Sequence, residues 1–259
     1  MEKARVASRE EWLKERRALL QREKAHTRER DAIARQRREL PWVKVEKDYV
    51  FEAPEGKVSL GDLFGGKSQL FVKHFMKGPG QVAQCVGCSL EVDHVDGIRV
   101  HLENHDLSYV AVARAPIAEI EEYRKRMGWR FRWVSSFGSD FNYDFHVSFT
   151  PEEVASGRAF VNFDSGTPWG EDMSGDSVFV KDEAGQIFHT YSTYLRGGEE
   201  FLGLYRYIDA SPKGRVETGP TGTLGDWVRP HDMYGKGGMV EPNGRYHLAA
   251  CGCSSHASS

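Results

Sequence analysis

The polar and apolar positions divide the chain into two stretches of different character. Residues 9–39 run without Gly or Pro, and Pro41 ends the run. Ser8 followed by Glu11 is a capping-box pattern, so a helix is predicted over 9–39. Trp12, Leu19, Ile33 and Leu40 recur at a seven-residue spacing, with polar His26 in the middle slot. That apolar stripe is thin. It predicts one or two helices laid across the main domain, with a solvated arm as the alternative.

From residue 42 the period shortens. WVKVEKDYVFE alternates as a strand does, and PEG turns it; SLGDLFGGK reads as a short helix or turn. QLFVKHFM (69–76) is a compact apolar run that suits a buried parallel strand. A helix is predicted over 88–105, with Val95, Ile98 and Leu102 on one face. LSYVAVARA (107–115) predicts a second parallel strand. Residues 117–127 predict an amphipathic helix with Gly128 at its C-terminal cap. WRFRWVSSF alternates as the end of a strand. SVFVKD and IFHTYSTY flank a short Gly-containing turn and predict a β-hairpin, followed by a helix over 199–209. Beyond 210 the periodicity fades, and the last twenty residues read as disordered.

The order is a βαβ unit followed by a ββα unit. That connectivity defines an α/β, thioredoxin-like three-layer fold. The expected organisation is an N-terminal helical extension (1–40), a thioredoxin-like domain (41–210), and an irregular C-terminal segment with a flexible tail (211–259).

Composition narrows the function. Charged residues make up 28% of the chain and the net charge is −3, so no global field draws it to nucleic acid or to an anionic membrane. Residues 1–40 carry a surplus of five positive charges, but these arginines alternate with glutamates. That pattern suits ion pairing along a wet helix better than phosphate binding. No apolar run reaches the length of a membrane span, and the N-terminus has no secretory pattern. A cytoplasmic location is expected, and there a close pair of cysteines points to redox or metal chemistry rather than to a structural disulfide.

Four cysteines occur, in two tight pairs. Cys85 and Cys88 follow the strand predicted at 69–76 and open the helix after it, where a CxxC beside a βαβ unit reads as a redox motif. The unpaired N–H groups of a helix N-terminus stabilise a thiolate. On this reading Cys85 attacks a disulfide, and Cys88, one turn inside, resolves the mixed disulfide. Zinc is the rival. A zinc ribbon needs a second CxxC nearby, and Cys251-Gly252-Cys253 is far away in the tail. His94, His101 and His105 fall on one side of the predicted helix, where they serve either as metal ligands or as interfacial histidines. His74 is a candidate thiolate support if its ring faces the strand's C-terminal end, and core otherwise.

The stretch from Trp12 to Tyr234 resembles the bacterial family catalogued as domain of unknown function 899. The resemblance is carried by WLKERRALLQREKAHTRERDAIARQRRELPWVKVEKDYVF, QLFVKHFM, CVGCS, RMGWRFRWVSSFGSDFNYDFHVSF, IFHTYSTYLRG and WVRPHDMY. It implies a thioredoxin-like fold and carries no substrate with it. Two departures from thioredoxin itself stand out. Ser174-Gly175-Asp176-Ser177 holds no Pro where thioredoxins place one opposite the CxxC, and the dipeptide between the cysteines is Val-Gly. Val82 stands three residues before Cys85, where peroxiredoxins need Ser or Thr, which disfavours peroxide reduction by that route.

In FGSDFNYDF the polar Asp140, Asn142 and Asp144 alternate with aromatics. They either cap loops or line a pocket beside the CxxC. In the second case Asp140 or Asp144 shuttles protons for Cys88, and Trp129, Trp133 and Tyr143 hold an apolar group; Asp176, outside that block, is a further candidate support residue. The expected function is a thiol–disulfide oxidoreductase without a cofactor, acting on a protein or small-molecule disulfide or thiol. The alternatives are a metal-handling or redox-sensing binding protein, and a non-catalytic interaction protein. The long N-terminal helix could also pair two chains.

Overall fold

A computed structural model of the protein describes residues 5–248. It forms two units, divided between Val43 and Lys44. The first unit is the helix α1, Arg9–Glu39. Ser8 caps it reciprocally. The Glu11 N–H donates to Ser8 Oγ at 3.2 Å, and the Ser8 N–H donates to the Glu11 carboxylate at 2.9 Å. Acidic Glu10 and Glu11 open the helix and basic Arg37 and Arg38 close it, each the favourable sign for the helix dipole. No residue of α1 is buried, and Trp12 and Leu19 stand about half exposed.

The second unit is built on one twisted sheet. Its strands are β1 (Val50–Ala53), β2 (Gly56–Ser59), β3 (Gln69–His74), β4 (Leu107–Ala113), β5 (Arg132–Ser135), β6 (Gly175–Lys181) and β7 (Ile187–Tyr194). They lie side by side as β7-β6-β3-β4-β5-β1-β2. Strands β3, β4 and β5 are parallel, and β6 and β7 form the antiparallel hairpin beside β3. This is the thioredoxin-like arrangement, with β3 near the middle. WRFRWVSSF thus supplies a full parallel strand, not only a strand end.

The middle strands are covered on both sides, so they read as near-continuous apolar runs. Strand alternation sends Leu70, Val72, Val110 and Val112 to one face, where they meet Phe51, Phe64, Phe141 and Phe179. Phe71, Tyr109, Ala111 and Ala113 go to the other face, with Phe75, Trp129, Trp133 and the two cysteines. Helices α2 (Val86–Val92), α3 (Val95–Asn104) and α4 (Ile117–Arg126) follow β3 and β4. Gly128 takes φ +68 after α4, the left-handed cap expected there.

Three elements differ from the sequence reading. The helix expected over 88–105 begins at Val86 and breaks at Asp93–His94. At the break the Asp93 carboxylate is held by Trp129 Nε1 at 2.8 Å and by His231 Nδ1 at 2.7 Å. The helix expected over 199–209 is a 3-10 turn, Leu195–Phe201, then a short α-helix, Gly203–Asp209, separated at buried Leu202. The stretch expected to be disordered from residue 240 is ordered as far as residue 248, the last described. Met239–Val240 and Arg245–His247 form a small sheet with Gln84–Cys85, anchored by the buried Tyr246. Cys251, Cys253 and His256 lie outside the described residues. Among the described residues, no helix is long and apolar enough to cross a membrane.

Gly175 opens β6 between His74 and Tyr194. A methyl group there would stand 2.6 Å from Tyr194 Cδ1 and 3.0 Å from Val147 Cγ1. Gly175→Ala is therefore expected to cost about 1–3 kcal/mol as overpacking, read as a lower urea midpoint with an unchanged slope.

Candidate functional site

Cys85 is the N-cap of α2. The Cys88 N–H donates to its Sγ at 3.2 Å, the bond by which a cap residue satisfies an orphan helix donor. Cys88 lies one turn in, and the Met76 N–H donates to its Sγ at 3.5 Å. Both thiols are free and both are buried, at 6% exposure for Cys85 and 1% for Cys88. They line a cavity of about 580 Å³. Its other walls include Met76 and Glu91 from the core, Trp169 and Ser174, the 195–205 segment, and residues from 217–224 and 242–244.

Beneath the thiols lies a buried charge cluster. β3 turns Lys73 to the cysteine face, where it is 1% exposed. Its Nζ stands 2.5 Å from Glu91 Oε2, 3.4 Å from Asp176 Oδ1 and 2.9 Å from Ser174 Oγ. Asp176, on β6, is sealed from solvent, and neither of its oxygens has a hydrogen-bond partner among the described residues. Gly198 closes over the carboxylates. A side chain at that position would begin 3.2 Å from Asp176 Oδ2 and 3.5 Å from Glu91 Oε2.

The charges follow from this geometry. Burial works to strip the proton from Lys73, but Asp176 and Glu91 hold it, so Lys73 stays an ammonium. Burial pushes both carboxyls up, Glu91 strongly, since one ammonium cannot neutralise two buried carboxylates. For Cys88 burial also disfavours the charge. The Cys85 thiol, the Lys73 ammonium, the Met76 N–H and Ser174 outweigh it, and Cys88 comes down to about 6. The Cys85 thiol goes the other way, because its proton is shared with Cys88 and burial adds to the effect. The helix terminus alone pointed to Cys85 as the resting thiolate. The field of Lys73 places that charge on Cys88.

The remaining residues singled out in the sequence divide between this site and other places. Asp176 belongs to the cluster. His74, one residue after Lys73, faces the opposite side of the sheet. There its Nε2 lies 2.8 Å from Ser177 Oγ among Phe141 and Phe145, and burial holds it neutral at about 3. Asp140 and Asp144 pair with Lys47 at 2.6 and 2.7 Å beside Tyr49, on that same opposite side. They are not on the cavity, because the short helix Phe141–Asp144 buries Phe141 and Asn142 in the other core. Trp129 and Trp133 are core residues packed on Phe75, Tyr123 and Phe131, and Tyr143 meets Arg114 at 3.1 Å. None of the three lines the cavity. Trp169 lines it instead. His94 sits at the helix break, and His101 and His105 are exposed on and after α3. Among the described residues, no three His, Cys, Asp or Glu gather as a metal site.

Lys73 and Glu91 were missed by the sequence reading. Their signal was a lone lysine inside an apolar strand and a glutamate on the inner face of the CxxC helix. The far walls of the cavity left no signal, since residues 217–244 have no periodicity.

A family described as "Bacterial protein of unknown function (DUF899)" matches residues 1–234. The chain belongs to that family. No curated protein matches its sequence. Among solved structures, this DUF899 protein is similar to the peroxidoxin BcpB of Mycobacterium tuberculosis, at 13% identity and a TM-score of 0.39, over 65% of this chain and 96% of that one. It is also similar to a candidate thiol:disulfide interchange protein, DsbE, from Chlorobium tepidum, at 13% identity and a TM-score of 0.37, over 66% and 97%. A mitochondrial 2-Cys peroxiredoxin from Plasmodium falciparum matches at 12% identity and a TM-score of 0.39, over 65% and 95%.

Cys88 is expected to ionise near pH 6, so thiolate formation in the pair should fall off below that pH. Lys73→Met should move the ionisation up toward the ordinary 9.0. It should also cost about 3–5 kcal/mol, because the carboxylates lose their counter-charge. Ultraviolet thiolate absorbance and chemical denaturation measure the two effects.

Proposed function

We propose that this protein is a thiol–disulfide oxidoreductase whose working pair is Cys85 and Cys88. The observation that carries the reading is the buried Lys73 ammonium, which lowers the ionisation of a thiol paired with a second thiol at a helix N-terminus. A structural thiol pair has no use for such a charge, and burying it costs several kcal/mol.

Cys85 makes the first attack, because it is the more exposed sulfur and the cap N–H steadies its thiolate. The proton then rests on Cys88 or passes to the Glu91–Asp176 pair. Attack breaks the substrate S–S bond, forms a mixed disulfide on Cys85 and releases one thiolate, which takes up a proton. Cys88, in the field of Lys73, becomes the thiolate that attacks Cys85 Sγ. The second substrate thiolate leaves with the other proton, and the Cys85–Cys88 disulfide forms. Two electrons have passed from the dithiol to the substrate. Asp176, its pKa raised by burial, is suited to hold a proton at this step and to release it as the thiolate charge disappears.

Titration in glutathione or dithiothreitol buffers, with Cys251 and Cys253 replaced, is expected to give a reversible two-electron midpoint between about −300 and −120 mV. Cys88→Ser should accumulate a mixed disulfide on Cys85, and Cys85→Ser should not. Trapping in the opposite variant would reverse the order of attack. Thiols that never join would overturn the reading. Asp176→Asn should slow turnover by roughly 10²-fold while leaving the mixed disulfide able to form.

A further inference from the structure

The cysteines are enclosed by parts of the chain remote from them in sequence. Arg245 pairs with Cys85 across the small sheet, and the Val86 N–H donates to the Gly244 carbonyl at 2.9 Å. This C-terminal strand covers the outer edge of the redox loop. Leu224 packs over Gly87, the second of the two residues between the cysteines, with both methyl carbons 3.7 Å from where a Cβ would stand. The thiols are left facing a concave, partly open space of about 580 Å³, inside the range of roughly 300–1,000 Å³ typical of small-ligand sites. Its walls are chiefly apolar, with Met76, Leu195, Leu202, Leu224, Pro242 and the largely exposed indole of Trp169.

Disulfide exchange needs the attacking sulfur, the attacked sulfur and the leaving sulfur close to one line. At 6% exposure Cys85 cannot meet that requirement against a disulfide lying on the convex surface of a folded protein. A small molecule that enters the cavity can. Resting on the oxidoreductase reading, we infer that the substrate is a low-molecular-weight disulfide with an apolar body, bound in this cavity, and not a protein disulfide. In one turnover R–S–S–R′ receives two electrons from Cys85 and Cys88. Its S–S bond breaks, the Cys85–Cys88 bond forms, and the two thiol protons leave on R–SH and R′–SH. No other reactant is required.

The test is a single-turnover reaction of the pre-reduced full chain, with Cys251 and Cys253 replaced. Three oxidants are compared: hydroxyethyl disulfide, benzyl hydroxyethyl disulfide and insulin. The benzyl compound is expected to oxidise the pair about tenfold faster than hydroxyethyl disulfide, from burial of its aryl group. Insulin should react no faster than it does with a free dithiol. Trp169→Ala, a change at an exposed side chain, should remove most of the benzyl advantage and leave hydroxyethyl disulfide unaffected. Leu224→Trp, which fills the cavity, should slow both small disulfides while the redox midpoint stays fixed. Insulin reacting as fast as the small disulfides would overturn the substrate class and leave the oxidoreductase reading standing. So would an unchanged rate in both variants. A pair that no disulfide oxidises would overturn both.

Discussion

The arrangement depends on one buried ammonium. Lys73 sits on a central strand, with carboxylates from the CxxC helix and from the adjacent antiparallel strand on one side and a thiol on the other. Its charge is shared. Two carboxylates and a thiol compete for one cation in a site nearly without water, so protonation at any one of them depends on the other two. The ionisation of the cysteines and the proton content of the Glu91–Asp176 pair are thereby linked. The hairpin, the CxxC helix and β3 must all be in place for the linkage to exist. The cost of holding these charges in the core is met by the packing around them, where Gly198 lets the chain close directly over the carboxylates.

The sheet explains why this cluster is possible. A parallel strand covered on both faces sends successive side chains into two different interiors. Lys73 and His74 are neighbours in sequence, yet they act in separate worlds: one among ionisable groups beside the thiols, the other as a neutral ring among phenylalanines. The same division separates Asp176, under the cysteines, from Asp140 and Asp144, which face Lys47.

Much of the fold was legible because local pattern and tertiary placement agree. The capping box at Ser8, the apolar runs of β3 and β4 and the hairpin at 175–194 each carry their own period or turn signal. The CxxC position followed from its place between strand and helix. What escaped the reading was decided by contacts between remote residues. Which face of β3 meets the thiols is a register property that no local window contains, so His74 was singled out and its neighbour Lys73 was missed. The aromatics at 129, 133 and 143 announce burial but not which interior receives them. The break at Asp93 comes from Trp129 and His231, and the strand at 245–247 is ordered by Tyr246 and its partner at Gln84, neither of which leaves a periodic trace.

That late strand has a consequence for the order in which the molecule matures. Arg245 and Cys85 are neighbours in space but most of the chain's length apart in sequence, a contact that forms only after a long loop has closed. During synthesis the CxxC, its helix and both halves of the hairpin emerge before the residues that cover the CxxC loop. For that interval the thiols lack the cover that the C-terminal strand later gives them. The cover over the thiols is thus acquired in the last step of assembly, when the C-terminal strand settles against Gln84–Cys85.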